Sequence, residues 1–234
     1  MNLGSRLQTI ANFVISDKIF ADIGTDHAYL PIYLVKNGII KKAIAGDYNK
    51  GPYEAAKKAV LNYNLTQNID VRLGNGLAVL SEGEADIVAI AGMGGSTIIE
   101  ILGTNVKLTQ KIQRLILQPM NNSQGLRRWL NQNSFKIVAE ELVVDEGKLY
   151  EIIVAELGKE NIAEEIFYEI GPRLWEQKHY LLEEHLNKLV DKTKNIYESL
   201  CQSNKDNVVD KIKMYETKIK DLEDKLQCLL NAKF

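Results

Sequence analysis

The amino-acid sequence predicts an α/β fold, in which a twisted and mostly parallel sheet is flanked by helices and followed by a second, helical domain. Three observations support this prediction. Short apolar runs alternate with amphipathic helical segments five times between residues 19 and 130, as expected of a doubly wound sheet. Two further strand-like runs are separated by residues 145–148, which form a hairpin signal. From Trp175 onward the apolar residues instead follow a heptad pattern, which is typical of paired helices.

The elements of the first domain are assigned in order along the chain. Apolar residues at helical spacing from Leu3 to Val14 indicate an opening amphipathic helix. Residues 85–91 form the most hydrophobic short run and predict a central strand that is covered on both faces. Residues 135–144 and 149–156 close the sheet as an antiparallel pair, which makes seven strands. The other strands are expected at residues 19–23, 42–46, 69–73 and 115–117, and the other helices at residues 28–37, after Pro52, at residues 96–102 and around residues 126–130.

A change of composition predicts two domains, residues 1–158 and residues 159–234. In the second, apolar residues recur in alternating steps of four and three within two segments that flank the polar residues 203–207. Two helices joined at these residues would form an antiparallel coiled-coil hairpin. On such a hairpin Cys201 and Cys228 lie too far apart for a disulfide. The predicted seam consists of Trp175, His179, Leu182, Leu186, Leu189, Thr193, Ile196 and Leu200, and then of Val208, Ile212, Tyr215, Ile219, Leu222, Leu226 and Leu229.

Composition excludes several classes of protein. The 234 residues carry a formal net charge of -2, so contact with a nucleic acid would need a local basic patch. The N-terminal residues show no signal-peptide pattern, and no apolar run approaches the roughly 18 residues that span a bilayer. The two cysteines form no metal-type cluster. We therefore expect a cytoplasmic protein with no metal ion and no membrane partner, and we expect a monomer.

The most informative segment is the first strand with the turn that follows it, residues 20–31. Gly24 lies in this turn, where glycine lets the backbone approach a ligand, and Asp47 follows about 20 residues later, where an acid can bind ribose hydroxyls. The turn lacks the GxGxxG fingerprint, and Asp22 and Asp26 would repel a pyrophosphate. A cationic cofactor without phosphate, such as S-adenosylmethionine, fits an acidic turn better. The alternatives are an ordinary βα turn and, for Asp47, a helix N-cap.

Two later turns complete the predicted cofactor site. Asn75 follows the third strand and would lie beside an adenine ring amine, although a turn residue between two glycines is an equal interpretation. Residues 92–95, Gly-Met-Gly-Gly, follow the central strand and would form the floor beside a sulfonium, or else a plain strand-to-helix turn. Methyltransferases that act on exocyclic amines often have Asn/Asp-Pro-Pro-aromatic at this place. Its absence favours a ring nitrogen or a substrate other than a base.

Five motifs occur in a characteristic order: ADIGTDHAYLP (residues 21–31), AGDYNKGP (45–52), RLGNGL (72–77), IAGMGG (90–95) and LQPMNN (117–122). Together they resemble TrmK, a family of bacterial tRNA adenine-N1 methyltransferases that act on adenine 22 in the D-arm. The resemblance covers the whole chain, because that family also has a C-terminal coiled-coil domain.

The resemblance implies a class I, Rossmann-like domain of seven strands, S-adenosylmethionine as methyl donor and tRNA as substrate. Methyl transfer to N1 of adenine 22 is then the expected reaction. Adenine N1 has an in-plane lone pair and no proton at neutral pH, so the enzyme needs no strong general base and must mainly hold the reacting atoms in line. The expected cofactor-binding residues are Asp22, Gly24, Asp47, Tyr48, Asn75, Gly76, Gly92, Met93 and Gly94.

A base that is methylated within a folded RNA arm must leave its stack and find a new platform and new hydrogen-bond partners. Tyr29 begins the helix beside the cofactor turn and is the candidate for stacking, unless it packs this helix on the sheet. His27 and Asp26 could orient the base, although Asp26 could instead cap the helix. These three are the expected catalytic residues. The other wall of the base pocket is expected at Pro119, Met120 and Asn121.

RNA binding requires positive charge. The candidate RNA-binding residues are Arg6 on the first helix, Arg127 and Arg128 beside Trp129, and Lys213 and Lys218 on the last helix. The lysines alternate with acidic residues, so a solvated helix face is their alternative interpretation. Three other functions stay open: a methyltransferase for another RNA or a protein acceptor, a non-catalytic RNA-binding protein on the same scaffold and, last, a nicotinamide-dependent oxidoreductase.

Overall fold

The structure of the protein is a computed structural model that describes residues 2–202 and 208–232. The chain divides into two compact units, Met1–Asn161 and Ile162–Phe234. Among the described residues, no helix combines the length and the apolar character needed to cross a membrane. The polar turn predicted at residues 203–207 lies outside the described residues.

A seven-stranded sheet forms the centre of the first unit. Its strands are β1 (Phe20–Ile23), β2 (Ala43–Asp47), β3 (Ile69–Leu73), β4 (Ile87–Met93), β5 (Arg114–Pro119), β6 (Phe135–Asp145) and β7 (Lys148–Leu157). They lie in the order β3-β2-β1-β4-β5-β7-β6, with β1 to β5 parallel and β7 antiparallel to both of its neighbours. The predicted seven-stranded α/β fold is confirmed. The winding direction reverses between β1 and β4, and in such sheets the ligand crevice opens at the carboxyl ends of the strands on either side of this point.

Helices and one short 3₁₀ turn connect the strands of the first unit. They are α1 (Ser5–Asn12), α2 (Tyr29–Lys36), α3 (Lys50–Asn62), the 3₁₀ turn Gly76–Val79, α4 (Gly95–Thr104), α5 (Val106–Thr109) and α6 (Ser123–Gln132). Helix α5 was not predicted from the sequence. The side chain of Asn105 starts it by accepting a hydrogen bond from the Leu108 backbone N–H at 3.1 Å, which is the usual means of capping a helix.

Burial explains which strands were easy to predict. All residues of β1 and β2 are buried, as is the first half of β4, and strands covered on both faces appear in a sequence as continuous apolar runs. Strand β5 is longer than the predicted residues 115–117. Arg114 and Pro119 at its ends are residue types that are not typical of a buried strand. Arg114 forms an ion pair with Glu156 of β7 at 2.5 Å, and Pro119 pairs with Met93 of β4.

The second unit contains helices and no strand within its described residues. It contains α7 (Phe167–Ile170), α8 (Pro172–Glu176), α9 (Leu182–Cys201) and α10 (Val209–Asn231). The heptad pattern that begins at Trp175 predicted one continuous helix up to Leu200, and this is wrong. The chain leaves the helical conformation after α8, because Lys178 has a positive φ of 48° and His179 accepts the Leu181 backbone N–H through Nδ1 at 3.1 Å.

Helices α9 and α10 run antiparallel. Lys194 on α9 forms an ion pair with Glu223 on α10 at 2.6 Å, while Tyr197, later on α9, experiences the charge of Glu216, earlier on α10. The polar seam residue Thr193 is accommodated because its hydroxyl donates to the Leu189 carbonyl at 2.6 Å. Coiled-coil packing of the seam stays a prediction. Cys201 and Cys228 are both free of disulfides and exposed.

Candidate active site

The turn after β1 is held by the neighbouring strand. The backbone N–H groups of Gly24 and Thr25 both donate to the carbonyl of Gly46, at 2.8 and 3.1 Å. Gly24, Asp26 and Ala28 all have positive φ angles, of 80°, 51° and 54°. An alanine in this conformation is uncommon and costs free energy. This turn is therefore a strained piece of backbone that the surrounding sheet keeps in place.

Asp22 lies at the base of this turn and is buried. Burial raises the pKa of its carboxyl group to about 6, and the nearby charge of Asp47 adds to the effect, while the hydrogen bond from Thr25 and the charge of Arg6 oppose it. The Thr25 hydroxyl donates to Asp22 Oδ2 at 2.7 Å. Because a cation nearby would favour the ionised carboxylate, this arrangement suits a positively charged ligand.

Asp47 ends β2 and is also buried. Its Oδ1 accepts the Asn49 backbone N–H at 2.8 Å, whereas its Oδ2 has only a long contact of 3.5 Å with the backbone N–H of Asp26. The hydrogen bond from the Asn49 N–H resembles the one that a helix N-cap residue makes. However, the N-cap position of α3 is occupied by Asn49 and not by Asp47. One carboxylate oxygen of Asp47 thus stays available to a ligand.

A cavity of about 350 Å³ opens at the carboxyl ends of β1 to β4. Of the residues predicted for a cofactor, all line it except Asp22, which lies beneath the turn, and Gly94. Those that line it are Gly24, Asp47, Tyr48, Asn75, Gly76, Gly92 and Met93. The structure therefore brings together side chains and glycines from the carboxyl ends of four strands, β1 to β4.

One wall of the cavity was missed by the sequence analysis. Helix α4 contributes Thr97, Glu100, Ile101 and Thr104 to the lining. Their spacing places them on one face of the helix, and this face was visible in the sequence as a polar stripe with one apolar residue. Ile101 comes so close to Gly76 that a Cβ atom there would lie 3.0 Å from Ile101 Cγ2.

The glycines of the turn after β4 allow close packing around the cavity. A Cβ atom on Gly24 would lie 2.2 Å from Met93 Cε, so the Met93 side chain rests directly on the first turn. A Cβ atom on Gly95 would lie 2.6 Å from the carbonyl oxygens of both Asn121 and Asn122. The turn after β4 is thereby packed between the turns after β1 and β5.

The three residues predicted to act on the substrate form one cluster. Tyr29 is 47% exposed, and its ring stacks on that of His27 with a centroid distance of 5.1 Å and an interplanar angle of 15°. His27 Nε2 lies 3.6 Å from Asp26 Oδ1. The alternative role of Asp26 as a helix cap is wrong, since α2 has Ala28 at its N-cap position and no side-chain capping bond.

The predicted second wall of the base pocket follows β5. Pro119 is buried, whereas Met120 is 51% exposed and Asn121 is exposed. The Met120 backbone N–H donates to the Met93 carbonyl at 2.8 Å, and the Asn121 carbonyl accepts the Gly95 N–H at 3.0 Å. The structure thus joins this segment to the glycine turn after β4.

Arg127 was predicted to bind RNA, and the structure contradicts this prediction. It is completely buried, and its guanidinium forms ion pairs of 2.6 Å with both Glu140 and Glu151. Although burial opposes its charge, these two carboxylates raise its pKa above the ordinary value. Ser123 adds a hydrogen bond to Glu151 at 2.7 Å. Arg127 is thus part of the interior and does not reach RNA.

The other cationic candidates differ in accessibility. Lys218 forms an ion pair with Glu169 and is only 20% exposed, so its charge is not freely available to RNA. Lys213 is exposed, and Arg128 is half-buried. Arg6 lies at the carboxyl edge of the sheet, where its Nη1 donates to Gln118 Oε1 at 2.7 Å. Within residues 2–202 and 208–232, no group of three or more His, Cys, Asp or Glu side chains is arranged to hold a metal ion.

The chain is similar to several known proteins over nearly its whole length. The tRNA (adenine(22)-N(1))-methyltransferase of Bacillus subtilis is 37% identical over 239 residues, which cover 98% of this chain and 96% of that protein. A Streptococcus pneumoniae protein solved in complex with S-adenosyl-L-methionine is 36% identical, with a TM-score of 0.85 over 96% of this chain and 100% of that one. The structure of M. capricolum TrmK with S-adenosyl-homocysteine is 31% identical, with a TM-score of 0.82 over 97% of this chain and 99% of that one.

The seven-stranded sheet with its closing hairpin, and the acidic, glycine-lined cavity at its switch point, define a class I methyltransferase that uses S-adenosylmethionine. The model of the TrmK family, described as tRNA (adenine(22)-N(1))-methyltransferase, matches residues 20–224. The chain belongs to this family.

Proposed function

We propose that this chain transfers the methyl group of S-adenosylmethionine to N1 of adenine 22 in the D-arm of tRNA. The observation that carries the proposal is the acidic cavity beside a Gly-Met-Gly-Gly turn, in a chain of the TrmK family. A cationic methyl donor fits the buried Asp22 and Asp47. The turn after β4 contains none of the Asn/Asp-Pro-Pro residues that suit an exocyclic amine.

In this proposal each cofactor residue has a separate task. Asp47 accepts hydrogen bonds from the ribose hydroxyls through the oxygen that the protein leaves available. Asp22 supports the turn and complements the positive charge of the ligand. Tyr48, 69% exposed at the rim, and Asn75 contact the adenine part of the cofactor. When bound, S-adenosylmethionine supplies the electrophilic methyl group.

The acceptor base approaches from the side of the Asp26, His27 and Tyr29 cluster. The stacked pair of His27 and Tyr29 offers a flat, partly exposed platform for an adenine that has left its own stack. Methylation at N1 leaves a positive charge on the base, and the exposed carboxylate of Asp26 stabilises this charge. Pro119, Met120 and Asn121 form the opposite wall, so the base is held in line with the methyl group.

We further propose that residues 1–158 perform catalysis and that residues 159–234 bind tRNA as a helical arm. Such an arm suits a large substrate better than a small metabolite. Because its substrate is tRNA, the protein acts in the bacterial cytoplasm, and one chain contains all the residues assigned above, which favours a monomer.

The test is methyl transfer from labelled S-adenosylmethionine to unmodified tRNA, followed by digestion and mass spectrometry of the nucleosides. We expect N1-methyladenosine in wild-type reactions and none with Asp47→Ala, and we expect a tRNA with guanosine at position 22 to stay unmodified. Another methylated nucleoside, or a methylated protein, would replace this proposal with a different acceptor. Binding of tRNA without any transfer would favour the non-catalytic alternative.

A further inference from the structure

Arg6 is held at the carboxyl edge of the sheet by three different elements. Its Nη1 donates to Gln118 Oε1 at the end of β5 at 2.7 Å. Its guanidinium carbon lies 5.5 Å from the centroid of the Tyr150 ring on β7. A Cβ atom on Gly92 would lie 3.8 Å from the same Nη1, so the guanidinium also borders the turn after β4. A side chain on the first helix thus reaches the entrance of the active site.

Gln118 fixes the position of this guanidinium. The Gln118 side chain is completely buried, and its Oε1 accepts from both Arg6 and the Gly92 backbone N–H, the latter at 3.0 Å. Its Nε2 donates to the Pro119 carbonyl at 3.1 Å and lies 3.6 Å from the Met120 sulfur. Both ends of the amide are therefore in use, and rotation by 180° would break these contacts.

Within the described part of the chain, no carboxylate contacts the Arg6 guanidinium directly. Among residues 2–202 and 208–232, Arg6 forms no ion pair, and its bond to Gln118 uses one of the five N–H donors of an arginine. By contrast, Arg72, Arg114 and Arg173 each pair with a glutamate. Arg6 is half-buried. Although its charge lowers the pKa of the Asp22 carboxyl, an ordered, partly buried guanidinium that no carboxylate contacts directly is suited to bind an anion.

The chemistry of methyl transfer limits what this anion can be. The methyl donor is a cation and the methylated adenine is a cation, so a guanidinium next to the reacting atoms would oppose the reaction. The RNA backbone supplies one negative charge at each linkage, and arginine binds phosphate through a pair of hydrogen bonds. A phosphate contact would fix the position of a base that has left its stack, without reading the base itself.

We propose that Arg6 binds a phosphate that flanks the target adenosine and that Gln118 positions Arg6 for this contact. The inference rests on the proposed tRNA substrate and assigns to Arg6 one linkage of that substrate. Gln118 acts only through Arg6 and through the turn at Gly92.

Binding measurements with Arg6→Gln test the proposal. They are made at pH 8, where Asp22 is ionised whether or not the charge of Arg6 is present. We expect tRNA affinity to fall roughly tenfold or more and the salt dependence of log Kd to decrease by about one phosphate contact. Arg6→Lys should restore the salt dependence but only part of the affinity. Affinity for S-adenosylmethionine, measured without tRNA, should stay within about twofold, since the proposed contact is to RNA.

The matched control is Lys36→Gln. Lys36 also lies over a tyrosine ring, at 4.5 Å from the centroid of Tyr63, but it ends α2 and is therefore at the opposite edge of the sheet. We expect this variant to bind tRNA and cofactor like the wild type. If both variants lost tRNA affinity equally, the effect of Arg6 would be one of general surface charge, and the proposal would be overturned.

A more specific test replaces, one at a time, the two phosphate linkages that flank the target adenosine with a neutral methylphosphonate and measures tRNA binding. One of the two substitutions should weaken binding to the wild type and leave binding to Arg6→Gln unchanged, because the partner is already missing. Equal effects in both proteins at both linkages would overturn the proposal, as would a variant that loses turnover but keeps wild-type affinity and salt dependence. Absence of adenosine methylation by the wild type would instead contradict the proposed function.

Discussion

Asp22 shows how position within the fold changes the chemistry of a single carboxyl group. Asp26, four residues later, is largely exposed and lies near a histidine, whereas Asp22 is buried beside Asp47, and its pKa is raised to about 6. Between about pH 4 and pH 6, the Asp22 carboxyl is therefore protonated in the folded protein, whereas in the unfolded chain, where its pKa is near 3.8, it is already ionised. At neutral pH the ionised Asp22 reduces the stability of the ligand-free protein.

The first prediction concerns Asp22→Asn. The contribution of Asp22 to stability is fully present below pH 4 and is lost as the pH rises to about 6. The variant, which keeps an acceptor for Thr25, should therefore be more stable than the wild type at pH 8, by up to about 3 kcal/mol. Urea unfolding of both proteins between pH 4 and pH 8 measures this difference. Parallel stability curves over that range would contradict it.

Single residues also mark the limit of what the sequence could predict. The acids and glycines of the cofactor site were found because each lies at or just after the carboxyl end of a predicted strand, so the sheet topology brings them together. Arg127 and Arg128 are adjacent and could not be told apart in this way. Burial of Arg127 depends on Glu140 of β6 and Glu151 of β7, and the spacing of residues within α6 does not show which arginine faces them. Acidic residues within otherwise apolar strands were the available signal.

At the scale of elements, the turn after β4 depends on close packing against the segment after β5. Gly95→Ala would place a methyl group 2.6 Å from two backbone carbonyl oxygens, those of Asn121 and Asn122. We expect a loss of about 1–3 kcal/mol in unfolding free energy and reduced methyl transfer, because the predicted base pocket must shift.

Gly51→Ala is the matched control for this change. Gly51 lies in α3, and apart from its chain neighbours and the backbone of its own helix, no described atom comes within 4 Å of an added Cβ atom there. Its stability should be unchanged or raised by up to about 1 kcal/mol, with normal activity. Denaturant unfolding and the methyl-transfer assay together separate the two variants, and equal behaviour would show that the turn tolerates displacement.

Helix α6 is attached to the sheet by the buried charges of Arg127, Glu140 and Glu151. Arg127→Met should cost about 3–5 kcal/mol, because it removes the buried cation that forms an ion pair with Glu140. Lys188→Met removes an exposed pair with Glu184 on α9 and should cost about 0.5 kcal/mol. Thermal or urea unfolding compares them, and a loss below about 1 kcal/mol for Arg127→Met would show that Glu140 becomes neutral at little cost.

The predicted elements differ in accuracy for physical reasons. The buried strands were located to within two residues because burial on both faces leaves a continuous apolar signal. The break after α8 was missed because His179 and Leu182 continue the heptad spacing across a non-helical turn. A periodic pattern records which residues face the interior and contains no information about a backbone that changes direction between them.

At the scale of the whole molecule, the two units are proposed to have separate functions, catalysis in the first and tRNA binding in the second. If the second unit binds tRNA, exposed lysines of α10 should contribute to the affinity for tRNA. The double variant Lys211→Glu and Lys213→Glu should weaken tRNA binding and its salt dependence, with normal binding of S-adenosylmethionine. Filter binding at several salt concentrations measures both quantities.

The control for this variant reverses two exposed lysines of α3, Lys57 and Lys58. This control variant changes the net charge by the same amount as the α10 variant, but on the first unit and at residues that do not line the cavity. Equal losses in both double variants would show that only overall charge matters. Unchanged tRNA affinity in the α10 variant would remove the role proposed for that helix.

The two cysteines have a practical consequence for the study of this protein. Both are exposed and lie in the second unit, one on α9 and one on α10, and the sequence contains no others. Because the helices are antiparallel, Cys201 and Cys228 lie on the order of 25 Å apart along the helix axis. The natural chain thus contains a pair of attachment sites for paramagnetic labels, whose separation reports whether these helices stay side by side when RNA is added.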